Sequence, residues 1–203
     1  MATSVVSICN LALQKLGAAR IVAIDEDSVN ARACNDSYET VRDQVLRGSK
    51  WKFALKRTTL APSSTDPDFF YENAFVLPSD CLRPIFPPRL DLDWKVENHE
   101  GDLAILTNDG DTLELRYIAK ITDPTVYDPL FVDALACKLA WQLCETITQS
   151  TSKKDSLMNE YAIAIREAKR INAIEIGHQI QPIDEWVSGR LSGQLVNTEW
   201  RQE

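Results

Sequence analysis

The chain has 203 residues and a mass of 22.9 kDa, enough for one domain, or one domain with a small lobe, around a hydrophobic core. Its formal net charge of -8 at pH 7 argues against a protein that holds nucleic acid by neutralising phosphates, because that mode needs clustered Lys and Arg. Residues 1–16 have no basic start and their apolar positions are interrupted by polar ones, so we expect neither a secretory signal nor a membrane span, and a cytosolic protein.

Two amphipathic helices are predicted at the start of the chain. The first runs from about Thr3 to Leu16, where apolar residues recur every three or four positions, and Gly17 supplies its stop. The second begins near Asp27 or Ser28 as N-cap and ends at Gly48. Residues 1–50 are therefore predicted to be helical.

The hydrophobic period changes to two at Trp51. Its side chain alternates with the lysines around it and lies on the same side as Phe53 and Leu55, which predicts a half-buried strand from Trp51 onward. Proline recurs through residues 61–93, so strands there must be short, at an edge or separated by loops.

Further strands are predicted at residues 94–97, 102–106 and 112–121. The sequence Asn108-Asp109-Gly110-Asp111 predicts a hairpin turn between the last two. Residues 51–125 are thus predicted to form a small antiparallel meander inserted between helices.

Helices are predicted again from Asp128, an N-cap followed by Pro129 at the first helical position. Ser152 with Asp155 resembles a capping box and predicts the start of a fourth, long helix that ends at Gly177. Residues 126–177 would complete a bundle of about four helices.

The last residues, 178–203, are rich in apolar side chains, but Pro182, Gly189 and Gly193 interrupt any helical face. We predict an extended C-terminal arm that docks on a partner; the alternative is that its tryptophans fold back on the chain's own helices. The candidate contact residues of this arm are Trp186, Arg190, Leu191, Leu195 and Trp200. The predicted fold class is therefore α+β, mainly α, with an inserted β lobe and this arm.

A second candidate contact surface is a cluster of cations around Trp51 that contains no acid. A solvated strand face, a surface for a protein partner and a DNA-binding surface with interleaved aromatic rings all fit this pattern. The members are Arg47, Lys50, Lys52, Lys56 and Arg57.

No pattern of residues points to catalysis or to a bound cofactor. The motifs GxSxG, HExxH, the P-loop and GxGxxG do not occur in the sequence. The acidic triplet Asp25-Glu26-Asp27 fits helix capping better than metal binding. The cysteines form no CxxC pair, have only His99 and His178 as possible nitrogen partners, and are interpreted as small buried hydrophobic residues. We expect no enzyme; the alternative is a polysaccharide-degrading protein that uses a carboxylate pair.

Several stretches of the sequence, in order, resemble the head-to-tail adaptors of podoviruses and related prophages, also called tail tubular protein A. The sequence departs from that pattern at Gly48-Ser49-Lys50, where a proline is expected before the tryptophan. The stretches are ICNLALQKLGA (8–18), DSVNARACNDSYETVRDQVLR (27–47), WKFALKRTTLA (51–61), FVLPSDCLRPI (75–85), DPLFVDALACKLAWQL (128–143) and REAKRINAIE (166–175).

The resemblance implies a helical bundle with a β-rich lobe that assembles as a ring of roughly twelve copies under a portal protein. The far side of the ring would receive the tail nozzle, and genomic DNA would pass through the channel without specific binding. An acidic wall suits that passage because it repels phosphate. The implied location is the neck of the virion, with the host cytoplasm during assembly, and the family's function carries no catalytic residues.

Overall fold

The computed structural model describes residues 3–85, 93–108 and 110–176. This part of the chain contains four α-helices and six strands, which confirms the predicted α+β, mainly α fold class; the predicted arm at 178–203 lies outside it. The helices are α1 (Val5–Leu16), α2 (Val29–Arg47), α3 (Pro129–Thr148) and α4 (Thr151–Ile176), and the strands are β1 (Leu55–Leu60), β2 (Asn73–Val76), β3 (Cys81–Ile85), β4 (Trp94–His99), β5 (Asp102–Thr107) and β6 (Leu113–Ala119).

The predicted helix boundaries depend on capping side chains, and most are confirmed. Ser28 caps α2 by accepting the Ala31 N–H, and Asp128 caps α3 by accepting the Leu130 N–H with Pro129 behind it. Gly17 ends α1 in the left-handed conformation, at a φ of 72°, that favours glycine.

The predicted capping box of α4 was wrong. Gln149 ends α3 with a left-handed φ of 52°, so the chain turns at once and α4 begins at Thr151. Ser150 is then the residue whose side chain accepts a helical N–H, that of Lys153 at 3.4 Å. Ser152 and Asp155 lie within the helix.

Helix α3 is the centre of the bundle and packs against the other three helices. Alanines at positions 134, 136 and 140 let its neighbours approach closely, and all three are fully buried. On one side Lys15 of α1 reaches Asp133 of α3 at 3.6 Å and Glu160 of α4 at 3.7 Å. The largely buried helix predicted from Asp128 is therefore confirmed.

The strands form two antiparallel three-stranded sheets, so the predicted meander was wrong. The first sheet has the order β1-β6-β3 and the second the order β2-β5-β4. The predicted hairpin between β5 and β6 was also wrong, because β2 and β4 occupy both edges of β5 and leave none for β6. After β5 the chain crosses to the other sheet.

The tight hairpin of the lobe joins β4 and β5 instead. His99 pairs with Asp102, and Glu100 and Gly101 between them have φ values of 53° and 99°. Two positive φ values in a two-residue loop match the twist of the flanking strands. The signal in the sequence was the Glu-Gly pair.

The described residues form three layers, in which the first sheet lies between the helices and the second sheet. Ile118 and Ile85 of the first sheet pack into the core of the helical bundle. Alternate residues of β6, Leu115 and Tyr117 among them, pack with Phe75 of the second sheet. Strand β6 therefore contributes to both cores, one with each face.

Trp51 joins the bundle to the lobe. Its side chain is 1% exposed, its indole N–H donates to the Val45 carbonyl at 2.9 Å, and its ring lies 5.0 Å from that of Phe131. The strand predicted from Trp51 was wrong in its start, because residues Lys52–Ala54 form a 3-10 turn closed by the Ala54 N–H on the Trp51 carbonyl. The strand begins at Leu55.

We expect Trp51→Ala to lower the free energy of unfolding by about 3–5 kcal/mol, since it leaves a large cavity among buried rings. Urea unfolding followed by circular dichroism measures this. Phe69→Ala, at a side chain that is 71% exposed, is the control and should change stability by less than about 0.5 kcal/mol. Equal losses in the two variants would contradict the role given to Trp51.

Candidate functional site

Three of the five cations predicted as a contact surface are engaged within the chain. Lys52 is paired with Glu175 of α4 and lies 3.7 Å from Asp128, the cap of α3. Lys56 pairs with Asp80 at 2.7 Å, and Arg47 donates to the Leu82 carbonyl. Lys52 and Arg47 connect the lobe to the helices and Lys56 makes a contact within the lobe, which are structural uses that the sequence pattern did not indicate.

The Asp80 carboxylate, one residue before β3, contacts both other strands of the first sheet, β1 through Lys56 and β6 through Tyr117. Besides Lys56, the Tyr117 hydroxyl donates to this carboxylate at 3.0 Å. Burial opposes its ionisation, but the hydrogen bonds from Lys56 and Tyr117 together outweigh burial and lower the pKa of Asp80. Burial and the nearby carboxylate raise the pKa of Tyr117 to about 12, so the hydroxyl remains a donor at neutral pH.

Lys50 and Arg57 are the remaining two members of the cluster, and neither forms an ion pair within the described ranges. Arg57 lies on β1 opposite Arg116 of β6. Lys50 lies at the rim of a groove where α2, β3 and the end of α4 meet. The sequence cluster is thus divided into a structural part and a free part.

The groove, called the basic groove below, has a volume of about 490 Å³. Its cations are Lys50, Arg83 of β3 and Lys169 of α4, and Ala173 and Ile176 supply apolar wall. None of the three cations has an acidic partner among the residues placed by the structure. A groove with three unneutralised cations and an apolar wall can bind a ligand that carries both carboxylates and an apolar group.

Asn172 lines the groove and forms hydrogen bonds with the backbone between α2 and the 3-10 turn. Its side chain is 7% exposed; its amide donates to the Lys50 carbonyl at 2.8 Å and its oxygen accepts the Lys52 N–H at 2.9 Å. Both bonds join residues far apart in the sequence and fix the position of Lys50 against α4. An amide is suited to this because it donates and accepts at once.

Sequence reasoning missed Arg83 and Lys169. Arg83 lies in the proline-rich stretch and Lys169 on the charged back of a predicted helix, so neither stands out by spacing. Only the approach of β3 and α4 to the end of α2 brings them beside Lys50. The arm candidates Trp186, Arg190, Leu191, Leu195 and Trp200 lie outside the described residues.

The other candidate features have structural roles in the fold. Four cysteines are buried as predicted, and Cys81 is half-buried; burial raises its thiol pKa to about 11. Glu26 accepts the Val22 N–H and the Ser28 hydroxyl and so stabilises the loop before α2, while the N-cap itself is Ser28 and not a member of the acidic triplet. Within residues 3–85, 93–108 and 110–176, no group of His, Cys, Asp and Glu side chains could hold a metal ion, and no helix is both long and apolar enough to cross a membrane.

A scan against models of protein families and a search of curated proteins both found no match to this chain.

We expect stability to fall at acid pH partly through Asp80. Because its pKa is lowered in the folded protein, its contribution is present above the unfolded value of about 3.9 and is lost as the pH falls through the folded value. Urea unfolding at pH 5 and at pH 3 measures the free energy of unfolding, and its decrease between the two pH values should be smaller in Asp80→Asn than in the wild type. Asp68→Asn, an exposed carboxylate, is the control and should keep the wild-type loss. A wild-type loss in Asp80→Asn would refute the assignment.

Proposed function

We propose that the chain is a non-enzymatic head-to-tail adaptor of a short-tailed bacteriophage. In this role it assembles as a ring between the portal protein and the tail nozzle, and genomic DNA passes through the channel. The observation that carries the proposal is the order in which the family-like stretches fall on the fold. They coincide with α1, α2, the junction at Trp51 with β1, the β2–β3 segment, α3 and the end of α4.

These stretches include the parts that join the bundle to the lobe. Residues 51–61 contain Trp51 and the 3-10 turn, and residues 166–175 contain Asn172, which fixes that turn. A resemblance concentrated where distant segments meet supports a common fold more strongly than matches on isolated helices would. The bundle with an inserted β lobe is also the architecture that the resemblance implies.

The charge distribution favours the adaptor over the DNA-binding alternative. A surface that neutralises phosphates needs several free cations along one face. In the cluster from Arg47 to Arg57, Lys52 and Lys56 are neutralised by acids of the chain itself, and the net charge is -8. An overall acidic subunit suits a channel through which DNA slides.

Mixing the purified chain with its cognate portal tests the proposal directly. Negative-stain electron microscopy should show an additional ring on the tailward face of the portal, while the chain without portal should sediment as a monomer at micromolar concentration. Portals that remain bare at saturating chain would reject the adaptor function.

Removal of residues 178–203 tests the predicted arm. We expect the truncated chain to lose portal binding because the apolar anchors, Trp186 and Trp200 among them, are absent. Co-sedimentation with portal measures binding, and circular dichroism checks that the helices remain. Trp186→Ala and Trp200→Ala are the milder variants. Undiminished binding by the truncated chain would exclude the arm as the portal contact.

A further inference from the structure

The β lobe carries an exposed aromatic tip that its own packing does not explain. Phe69 and Phe70, between β1 and β2, are 71% and 85% exposed, and their rings meet edge to face with centroids 5.1 Å apart. Two adjacent phenylalanines at this exposure contribute little to the lobe's core. They are available to a partner.

The tip is held in a strained conformation by specific contacts. Phe70 has a φ of 67°, which is unfavourable for a bulky side chain. The Asn108 side chain fixes the backbone directly after Phe70, donating to the Phe70 carbonyl at 3.3 Å and accepting the Glu72 N–H at 2.8 Å. Strain that is maintained by neighbouring structure, in a loop that presents its rings to solvent, is typical of a preorganised contact.

Three exposed carboxylates, Asp66, Asp68 and Glu72, lie within three residues of the phenylalanines in the same loop. None of them has a cationic partner in the described part of the chain. The tip therefore presents an apolar centre with an acidic rim.

The basic groove has the complementary character: its cations are Lys50, Arg83 and Lys169, and its apolar wall is Ala173 and Ile176. The acidic rim of the tip and the basic rim of the groove are opposite in charge, and the apolar centre of the tip faces an apolar wall. The cations could also lie over the faces of the inserted rings. Because the tip is exposed in its own chain, a groove that covers it must belong to another molecule.

We infer that the aromatic tip, residues 66–72, seats in the basic groove of a second copy of this chain. Tip and groove are different surfaces, so the contact is heterologous and each copy keeps one free tip and one free groove. Repetition of this contact closes into a ring or continues as an open filament. It deepens the proposed adaptor function by naming a subunit contact, and it rests on that function only for closure into a ring at the portal.

The contact buries one loop tip, much less than the ~1,600 Å² of a standard interface, so it is weak between free copies. Alignment of copies on a portal would raise their effective concentration and make the same contact persist. Monomers at micromolar concentration are therefore compatible with it, and the test must detect a weak contact.

Photo-crosslinking of the full chain provides this test. p-Benzoylphenylalanine replaces Phe70, which keeps an aromatic ring at the tip, and this protein is mixed with ¹⁵N-labelled wild type at roughly 0.5 mM, a concentration at which weak contacts are populated. Mass spectrometry then locates cross-links between the unlabelled tip and labelled peptides. We expect them in residues 169–176 and around Lys50 and Arg83. The control places the same amino acid at Val22, which is 90% exposed and lies outside the tip. This protein should give no enrichment of cross-links at the groove residues.

Charge reversal in the labelled partner makes the result specific. Lys50→Glu with Lys169→Glu should lower the cross-link yield about tenfold or more, since both substitutions repel the acidic rim. Asp66→Lys with Asp68→Lys in the tip protein should restore it. Both pairs lie at exposed positions, and circular dichroism verifies folding. Yields equal to the Val22 control, cross-links concentrated elsewhere, or yields indifferent to charge reversal would each overturn the inference.

This experiment contains no portal, so its outcome separates the two proposals. A failed cross-link with rings still forming on portals would reject the tip contact and leave the adaptor function in place. A cross-link at the groove with portals that stay bare would establish self-association and reject the adaptor function.

Discussion

The arrangement of this protein depends on how the chain leaves the second helix at Trp51. The buried indole donates to the Val45 carbonyl of α2 and packs against Phe131 of α3. The chain therefore leaves α2 at a point that is packed into the core of the bundle. On either side of Trp51, the side chain of Asn172 in α4 forms hydrogen bonds with the Lys50 carbonyl and the Lys52 N–H. These contacts of residues 50–54, called the junction below, place the first sheet against the helices, because β1 begins immediately after them at Leu55.

The junction also explains why the cations between Arg47 and Arg57 do not form a single surface. The 3-10 turn rotates successive side chains away from the alternation that a strand would give, and Lys52 and Lys56 meet Glu175 and Asp80 on different elements. Lys50, held by its carbonyl on α4, faces the basic groove with Arg83 and Lys169. Charges that are adjacent in the sequence thus have two uses, ion pairs within the chain and presentation of a free basic rim.

The basic groove and the aromatic tip are built in the same way. Each combines an apolar centre with unneutralised charge, and each is held by an asparagine that bridges backbone groups of distant segments, Asn172 at the groove and Asn108 at the tip. Surfaces of opposite charge whose backbone is fixed by hydrogen bonds lose less entropy on contact and exclude wrong partners by charge. In the proposed adaptor, surfaces of this kind would supply the contacts between copies.

The sequence by itself determined the helices, the cap of α3 at Asp128, the antiparallel strands and the α+β class, because hydrophobic period and capping chemistry act within a few residues. It narrowed the cap of α2 to Asp27 or Ser28, and the structure shows Ser28. It did not determine which strands pair: the turn signal at Asn108 misled, because both edges of β5 were already taken by β2 and β4. Only the tertiary structure decided that Arg83 and Lys169 join Lys50, and that Phe69 and Phe70 remain outside. Such groupings arise from contacts between residues far apart in the chain, which no local spacing encodes.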